Sequence, residues 1–252
     1  MACLWVVASR SPSSLPSDHP FVRESENLRA VAAGLLQLER LHKDAIRRGN
    51  QSALPLLRRL HMLTVGMMAE ARLRKVLVDP GGFNDLERDS LRRARSQIDR
   101  WRLAVELAFR RQYAVLLHRT LDEDSLGLDA AARHSKILAL LDGHLVTLIS
   151  DRNKTAHAQW AWQLNSGETA FTGRAPRPLN YTAIKSRSEA IGIIGDIVHT
   201  LIVSEKTFQR DFDVLVQKLG VVEPLLDGDT HEDFVAALRR QRRSAVQGLT
   251  ST

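Results

Sequence analysis

Apolar residues recur at helical spacing along most of the chain, and this repetition is the feature that most limits its fold. Apolar side chains three or four positions apart build one buried face of a helix. Clusters that cannot continue a helix, such as Asp79-Pro80-Gly81-Gly82, interrupt the pattern. The pattern predicts helices over residues 21–48, 52–78, 84–117, from 129 into the stretch 150–160, over 182–219, and a small amphipathic one at 230–243.

Only one segment has a strand-like pattern. Apolar and polar residues alternate over residues 160–173, around the turn Asn165-Ser166-Gly167, as in a short β-hairpin. We therefore predict an all-α protein, an antiparallel helical bundle with a short β-hairpin inserted before its last long helix. Three parts are expected: a flexible N-terminal extension at residues 1–19, a helical domain at 20–222 and a basic C-terminal tail at 223–252.

Composition narrows the class of protein. Hydrophobic residues make up 44% of the 252 residues, which is enough for a sizeable core. Cys3 is the only cysteine, which excludes a disulfide within the chain and a zinc site built from cysteines, and favours a reducing compartment. Charged residues interrupt every apolar run, so no membrane span is expected. We expect a soluble, cytoplasmic protein.

The chain is basic, with a formal net charge of +7 and arginine clusters at residues 92–95, 110–111 and 239–243. Such a balance favours a polyanionic partner without identifying it. Each cluster taken alone could equally be the solvated face of a helix. Trp160 and Trp162 could stack on nucleic-acid bases, as aromatic residues do in single-strand sites, or anchor the predicted hairpin on the bundle.

The segment SDRNKTAHAQW, residues 150–160, places polar residues at the end of an apolar helical pattern. At about 100° per residue, Arg152 lies within the apolar stripe, while Asn153 and His157 stand together at its edge. A guanidinium in such a position needs an anionic partner, because burying its charge is costly. A carboxylate on a neighbouring helix, Glu106 or Glu70, is the ordinary structural candidate.

The three residue types of this segment also suit phosphoryl transfer without a metal. The planar guanidinium of arginine matches phosphate oxygens, and histidine can exchange a proton near neutral pH. Asn153 could hold the imidazole of His157 in one orientation. The other histidines show no ligand pair at helical or turn spacing, and there is no glycine-rich phosphate loop. Neither a metal site nor a cofactor is therefore expected.

The motif RNKTAH, which contains Arg152, Asn153 and His157, resembles the signature of the HEPN (higher eukaryotes and prokaryotes nucleotide-binding) superfamily. Further segments resemble, in order, parts of bacterial HEPN proteins of toxin and phage-defence systems; they are MAEARLRKVLVDPGGF, WRLAVELAFRRQY, RNKTAHAQWAWQLNSGETAF and LIVSEKTFQRDFD. Together they span about residues 68–213. The resemblance implies a helical bundle, a homodimer with two motifs facing each other across a basic cleft, and a metal-independent endoribonuclease.

The same resemblance implies roles for the motif residues. Arg152 would bind and stabilise the scissile phosphate, His157 would be the acid–base residue, and Asn153 would orient it. The 2′-hydroxyl of RNA would attack the adjacent phosphate and leave a 2′,3′-cyclic phosphate. Expected partners are RNA, a second copy of the chain, and an antitoxin or defence-system protein. Gln159 departs from the pattern, because some family toxins carry there a tyrosine that a partner nucleotidyltransferase modifies.

Alternatives stay open for the whole chain and for one site residue. The chain could be a catalytically silent HEPN-type module that binds RNA or nucleotide or regulates a partner. It could also be a purely structural helical module in which Arg152 is buried against Glu106. Glu106 itself could position Arg152 in the site, or form an ordinary helix salt bridge with Arg102 or Arg110.

Overall fold

A computed structural model describes residues 15–250 apart from 166, 168, 176 and 177, with side chains described as far as residue 241. Most of the predicted N-terminal extension, residues 1–19, lies outside this range. The described part is mainly helical with one two-stranded antiparallel hairpin, which confirms the predicted all-α class. The elements in chain order are α1 (Pro20–Arg48), α2 (Leu54–Leu77), α3 (Asp85–Arg93), α4 (Gln97–Gln112), α5 (Glu123–Leu126), α6 (Leu128–Leu140), a π-turn (Leu141–Leu145), α7 (Val146–Ala156), β1 (Trp162–Leu164), β2 (Phe171–Arg174), α8 (Tyr181–Val203), α9 (Glu205–Val222), a 3-10 turn (Glu223–Leu225) and α10 (His231–Thr250).

Helices α2 and α8 form the centre of the bundle. α2 packs against α1, α7 and α8, while α8 also contacts α4, α6, α9 and α10. A tight turn joins α1 to α2, and Gly49 ends α1 in the left-handed conformation with φ 69°, which glycine adopts without strain. The main core between these helices contains large buried side chains, among them Trp101, Phe109 and Phe208.

Two predicted helices are split, so the expectation of continuous helices over 84–117 and 182–219 was wrong. In the first, the chain becomes extended at Ala94, and the Ser96 hydroxyl accepts the N–H of Asp99 at 3.1 Å to start α4. In the second, Ser204 is extended and its hydroxyl accepts the N–H of Thr207 at 3.3 Å to start α9. A serine that caps a new helix offers the backbone an alternative to helix continuation.

The predicted helix that begins near residue 129 is interrupted by the π-turn. The N–H of Val146 donates to the carbonyl of Leu141, five residues earlier, and so adds one residue to that turn. Side-chain directions around the axis that are calculated for a regular helix, relative to Arg152, therefore apply directly only to residues after the π-turn. The helical spacing predicts five apolar residues on the stripe of Arg152. Four of them are buried, namely Leu141, Leu145, Leu148 and Ile149, whereas Leu138, before the π-turn, is only partly buried.

The predicted hairpin is present, and it precedes α8. Its register pairs Trp162 with Arg174 and Leu164 with Phe171, with an irregularity after Gln163. At the loop, the side-chain oxygen of Asn165 accepts the N–H of Thr169 at 2.9 Å. The sequence located this hairpin because its period of two interrupts the helical pattern on both sides.

The predicted helix of the C-terminal segment is present as α10 and packs on α1 and α8. A small second core joins these helices and contains Ala45, Ile46, Leu54, Tyr181 and Leu238. Within residues 15–250, none of the helices is both long and apolar enough to cross a membrane.

Candidate functional site

The end of α7 turns sharply directly after His157. The N–H of Ala158 donates to the carbonyl of Thr155 at 3.2 Å, and the N–H of Gln159 donates to that of Lys154 at 2.9 Å. These two bonds form a Schellman motif, in which the turning residue takes the left-handed conformation. Here that residue is Ala158, with φ 58°, where an alanine costs roughly 1–2 kcal/mol. The turn leaves His157 exposed at the tip of the helix.

Arg152 lies between α7 and α2 and has two acceptors. One terminal nitrogen, Nη2, donates to Glu70 Oε2 at 2.5 Å, and the other, Nη1, donates to Asn153 Oδ1 at 2.9 Å. Its side chain is 27% exposed. The sequence predicted an anionic partner for Arg152, and Glu70 is that partner. The two hydrogen bonds fix the plane of the guanidinium, while part of the side chain remains exposed to solvent.

Gly66 on α2 makes this arrangement possible. A Cβ atom at this position would lie 2.5 Å from Arg152 Cγ and 2.6 Å from Arg152 Cβ, which is far closer than van der Waals contact. The aliphatic stem of Arg152 therefore lies directly on the α2 backbone. Sequence analysis missed Gly66, although a glycine inside a helical pattern is itself a signal of close packing.

Glu70, not Glu106, is the carboxylate that meets Arg152. Glu70 also accepts from Arg74 at 2.7 Å, so one carboxylate serves two guanidinium groups. Glu106 instead accepts from Arg110 at 2.9 Å, which is the ordinary helix salt bridge considered above. Burial lowers the pKa of His134 on α6, and Glu106 opposes that shift. The possible pairing of Glu106 with Arg152 is therefore absent, because Arg152 pairs with Glu70 and Glu106 pairs with Arg110.

Asn153 is exposed, and its side-chain oxygen faces Arg152. A guanidinium can only donate hydrogen bonds, so the amide oxygen must point towards it. Asn153 can therefore reach His157 only by donating from Nδ2, and such a bond requires an unprotonated imidazole nitrogen. The orienting role of Asn153 stays a prediction, since the described contacts contain no hydrogen bond between these two side chains.

The chain after His157 is fastened to both α7 and α2. Trp160 Nε1 donates to the carbonyl of Thr155 at 2.9 Å, and Arg59 Nη2 donates to the carbonyl of Trp160 at 2.8 Å. Gln159 Oε1 accepts the N–H of Leu164 at 3.0 Å. Trp160 thus acts as the predicted anchor, and Gln159 holds the first strand of the hairpin.

Additional basic groups surround the end of α7. Lys154 Nζ donates to Gln163 Oε1 at 3.1 Å. Burial raises the pKa of Asp151, and the nearby charges of Arg187 on α8 and Lys154 oppose that rise. Three basic residues, Arg152, Lys154 and Arg187, therefore lie on or near the last two turns of α7, together with the carboxylate of Asp151.

Two other arrangements do not belong to this site. A cleft of about 350 Å³ between α1, α2 and α8 contains Arg72, Lys185, Glu39 and Asp196, and Arg72 pairs with Asp196 at 2.8 Å across it. Neither Arg152 nor His157 lines this cleft. Where side chains are described, no group of three or more His, Cys, Asp or Glu residues could hold a metal ion.

The site therefore joins three residues that the sequence predicted, Arg152, Asn153 and His157, to two on α2 that it did not assign to the site, Gly66 and Glu70. Comparison of the chain with family models, with curated proteins and with solved structures found no match.

Proposed function

We propose that the protein is a metal-independent endoribonuclease of the toxin or antiviral-defence type. It would cleave RNA by attack of a 2′-hydroxyl on the adjacent phosphate, leaving a 2′,3′-cyclic phosphate and a 5′-hydroxyl. The observation that carries this proposal is the presence on one helix, five residues apart, of a held and partly exposed guanidinium, Arg152, and an exposed imidazole, His157.

The hydrogen bonds of Arg152 are compatible with phosphate binding. A guanidinium has five N–H groups, of which Glu70 and Asn153 each take one. Its Nε is buried, so one N–H on each terminal nitrogen is left for a ligand. These N–H groups can donate to phosphate oxygens. Because Glu70 is shared with Arg74, it neutralises only part of the positive charge here.

His157 would transfer the proton. An unprotonated imidazole nitrogen takes the proton from the 2′-hydroxyl, the 2′-oxygen forms a bond to phosphorus, and the bond from phosphorus to the 5′-oxygen breaks. The leaving 5′-oxygen then needs a proton, which a second imidazole would supply. Arg152 stabilises the negative charge that grows on the phosphate oxygens. The nucleophile belongs to the substrate, so DNA would not be cleaved.

A homodimer would supply that second imidazole. One side of α2 presents apolar residues that are exposed or half-buried, and on the same side it continues into Glu70. These apolar residues are Leu56, Leu60, Leu63 and Met67. Apolar groups beside a charged site suit a self-complementary interface. If Met67→Asp leaves the molecular mass in solution unchanged, or the wild type is already monomeric at micromolar concentration, this interface is wrong.

One observation favours the alternative of a catalytically silent RNA- or nucleotide-binding module. Asn153 turns its oxygen to Arg152, and such a clasp could bind phosphate without proton transfer. Both functions need Arg152, but only the nuclease needs His157. An antitoxin or defence-system partner and a cytoplasmic location stay predictions.

Product chemistry tests the proposal directly. The purified full chain is incubated with mixed RNA in the presence of a chelator, and the ends of the products are identified. We expect new 2′,3′-cyclic phosphate and 5′-hydroxyl ends, and no cleavage of single-stranded DNA of the same sequence. Intact RNA at high protein concentration, or cleavage that disappears with the chelator, would contradict the proposal.

A further inference from the structure

The hairpin next to the site presents large aromatic side chains to solvent. Trp162 is 50% exposed and Phe171 is 71% exposed. Their ring centroids lie 6.4 Å apart with an angle of 64° between the planes. Exposed aromatic pairs of this kind mark interaction surfaces, because water contact with so much apolar area is unfavourable. Trp162 therefore does not anchor the hairpin on the bundle, in contrast to Trp160.

Arginines accompany these rings. The guanidinium carbon of Arg174, directly opposite Trp162 in the hairpin register, lies 5.2 Å from the centre of the Trp162 ring. We call Trp162, Phe171 and Arg174 the hairpin face. Arg59 lies 5.4 Å from the centre of the Trp160 ring. An aromatic ring with a cation beside it can stack on a base while the cation approaches the backbone phosphate.

The hairpin face has a fixed position relative to His157. Trp162 follows His157 by five residues, a span of at most about 18 Å even in an extended chain. The hydrogen bonds from Lys154 to Gln163 and from the N–H of Leu164 to Gln159 tie the first strand to the end of α7. A strand of RNA with its phosphate at Arg152 would thus pass next to the hairpin.

We propose that the hairpin face binds unpaired bases of single-stranded RNA on one side of the scissile phosphate. This inference rests on the proposed function, since it identifies the substrate of the same site as unpaired RNA. Stacking requires bases that are not inside a duplex, and every base has a face to stack, so little sequence preference follows. Charge favours RNA over a protein partner, because residues 152–177 contain four arginine or lysine residues and one glutamate.

The test uses the full chain and strands that it cannot cleave. Binding is measured with fluorescently labelled single strands of about 12 nucleotides, one of 2′-O-methyl RNA and one of DNA, beside a 2′-O-methyl duplex. Trp162→Ala and Phe171→Ala should each weaken binding of both single strands by about five- to a hundredfold. Trp162→Phe should retain most of the affinity. Leu86→Ala, which removes an 80% exposed leucine on α3, is the matched control and should change nothing.

Cleavage separates this inference from the proposed function. Trp162→Ala should slow cleavage of an RNA strand of about 12 nucleotides at low substrate concentration because that strand binds more weakly, whereas Leu86→Ala should leave cleavage unchanged. If the wild type binds single strands through Trp162 and Phe171 but never cleaves RNA, the proposed function fails and the hairpin face stands. If it cleaves RNA and both alanine variants bind normally, the hairpin inference fails alone.

Two further outcomes would overturn the inference. Alanine variants that change the oligomeric state without changing RNA affinity would identify the hairpin face as a protein contact. Equal loss of affinity for single strands and duplex would mean that charge, and not stacking, is responsible. If Trp162→Ala does not fold, Phe171→Ala and Trp162→Phe decide the question.

Discussion

Two regions that contain histidine lie on opposite sides of α2, and they differ in whether the imidazole is buried or exposed to solvent. On one side, His61 and His42 of α1 are fully buried, with their Nδ1 atoms 3.2 Å apart. On the other side, about 180° around the helix, Glu70 holds Arg152, and the exposed His157 follows five residues later. The same residue type thus serves packing in one place and is open to solvent and ligand in the other.

The buried pair is held in the neutral state. Burial lowers the pKa of His42 to about 3, with a further contribution from His61, and burial lowers the pKa of His61 to about 4. The ring of Tyr181 on α8 lies against both imidazoles, at centroid distances of 5.0 and 5.8 Å. Burial also raises the pKa of Tyr181. These groups cannot exchange protons near neutral pH, so the comparison assigns them to stability and leaves the exposed His157 as the proposed acid–base residue.

The strongest test of this assignment is His157→Ala. Loss of proton transfer should lower RNA cleavage by about a hundredfold to ten-thousandfold, while RNA binding and helical content stay unchanged. His118→Ala, at an exposed histidine in the loop between α4 and α5, is the matched control. Cleavage constants and circular dichroism of both variants provide the measurement. A folded His157→Ala protein that cuts RNA at the wild-type rate would end the catalytic assignment.

Acid should destabilise the fold through the buried pair. The folded-state pKa values of His42 and His61 lie below the unfolded value of about 6.5, so the unfolded chain binds more protons as the pH falls from 6.5 towards 4. The contribution of the two neutral imidazoles to the free energy of unfolding should thus be largely present at pH 7. The free energy should fall by up to about 4 kcal/mol between pH 7 and 5. Urea unfolding at several pH values measures this loss.

The double variant His42→Leu/His61→Leu is the control for the acid effect. It should lose the part of the pH dependence that His42 and His61 cause, and keep the part from His134 and His231, whose pKa burial also lowers. Each single variant should be less stable at neutral pH than the double one, since it leaves the other imidazole without its partner. An unchanged slope with pH in the double variant would show that other groups cause the acid effect.

Substitution of two helical glycines should have opposite effects. Gly66→Ala places a methyl group against the stem of Arg152 and should destabilise the protein by about 1–3 kcal/mol, although alanine is the better helix former. Gly34→Ala in α1 meets nothing within 4 Å and should stabilise by roughly 0.5–1 kcal/mol. Thermal or urea unfolding of both variants compares them. Equal stabilisation would mean that α2 and α7 do not pack as closely as described.

The smallest expected effect concerns the carboxylate that holds Arg152. Glu70→Gln keeps the side-chain shape but removes the charge, so turnover should fall by about tenfold, while RNA affinity holds or rises because the phosphate loses a competing anion. Glu106→Gln, which alters the pair with Arg110 and the charge near His134 but no contact of Arg152, should leave turnover unchanged. Separate measurement of turnover and of the dissociation constant distinguishes the two variants. A larger effect at Glu106 would contradict the pairing.

The sequence predicted those features that depend on local pattern. Periods of 3.6 and 2 located the helices and the hairpin, and the spacing along the helix placed Arg152 within the apolar stripe and His157 at its edge. The breaks at Ser96 and Ser204 were missed because a cap changes only one or two residues within a long periodic run. Glu70 could not be preferred over Glu106, since that choice depends on which helix packs against α7. This packing in turn depends on Gly66, a contact between residues far apart in the chain.

The π-turn between α6 and α7 sets the direction in which the side chains of α7 point around the helix axis. One additional residue in a turn rotates everything that follows by about 100° about the helix axis relative to a regular helix. Ile137 and Leu140 are buried on α6 before this turn. The additional residue lets the segment that carries Arg152 point in a direction that the buried stripe of α6 does not determine. A chain shortened by one residue within Leu141–Leu145 would keep every side chain of the motif, yet it would turn Arg152 away from Gly66 and Glu70. The position of the functional groups thus depends on the number of residues in the π-turn, about two helical turns before Arg152, as well as on the motif itself.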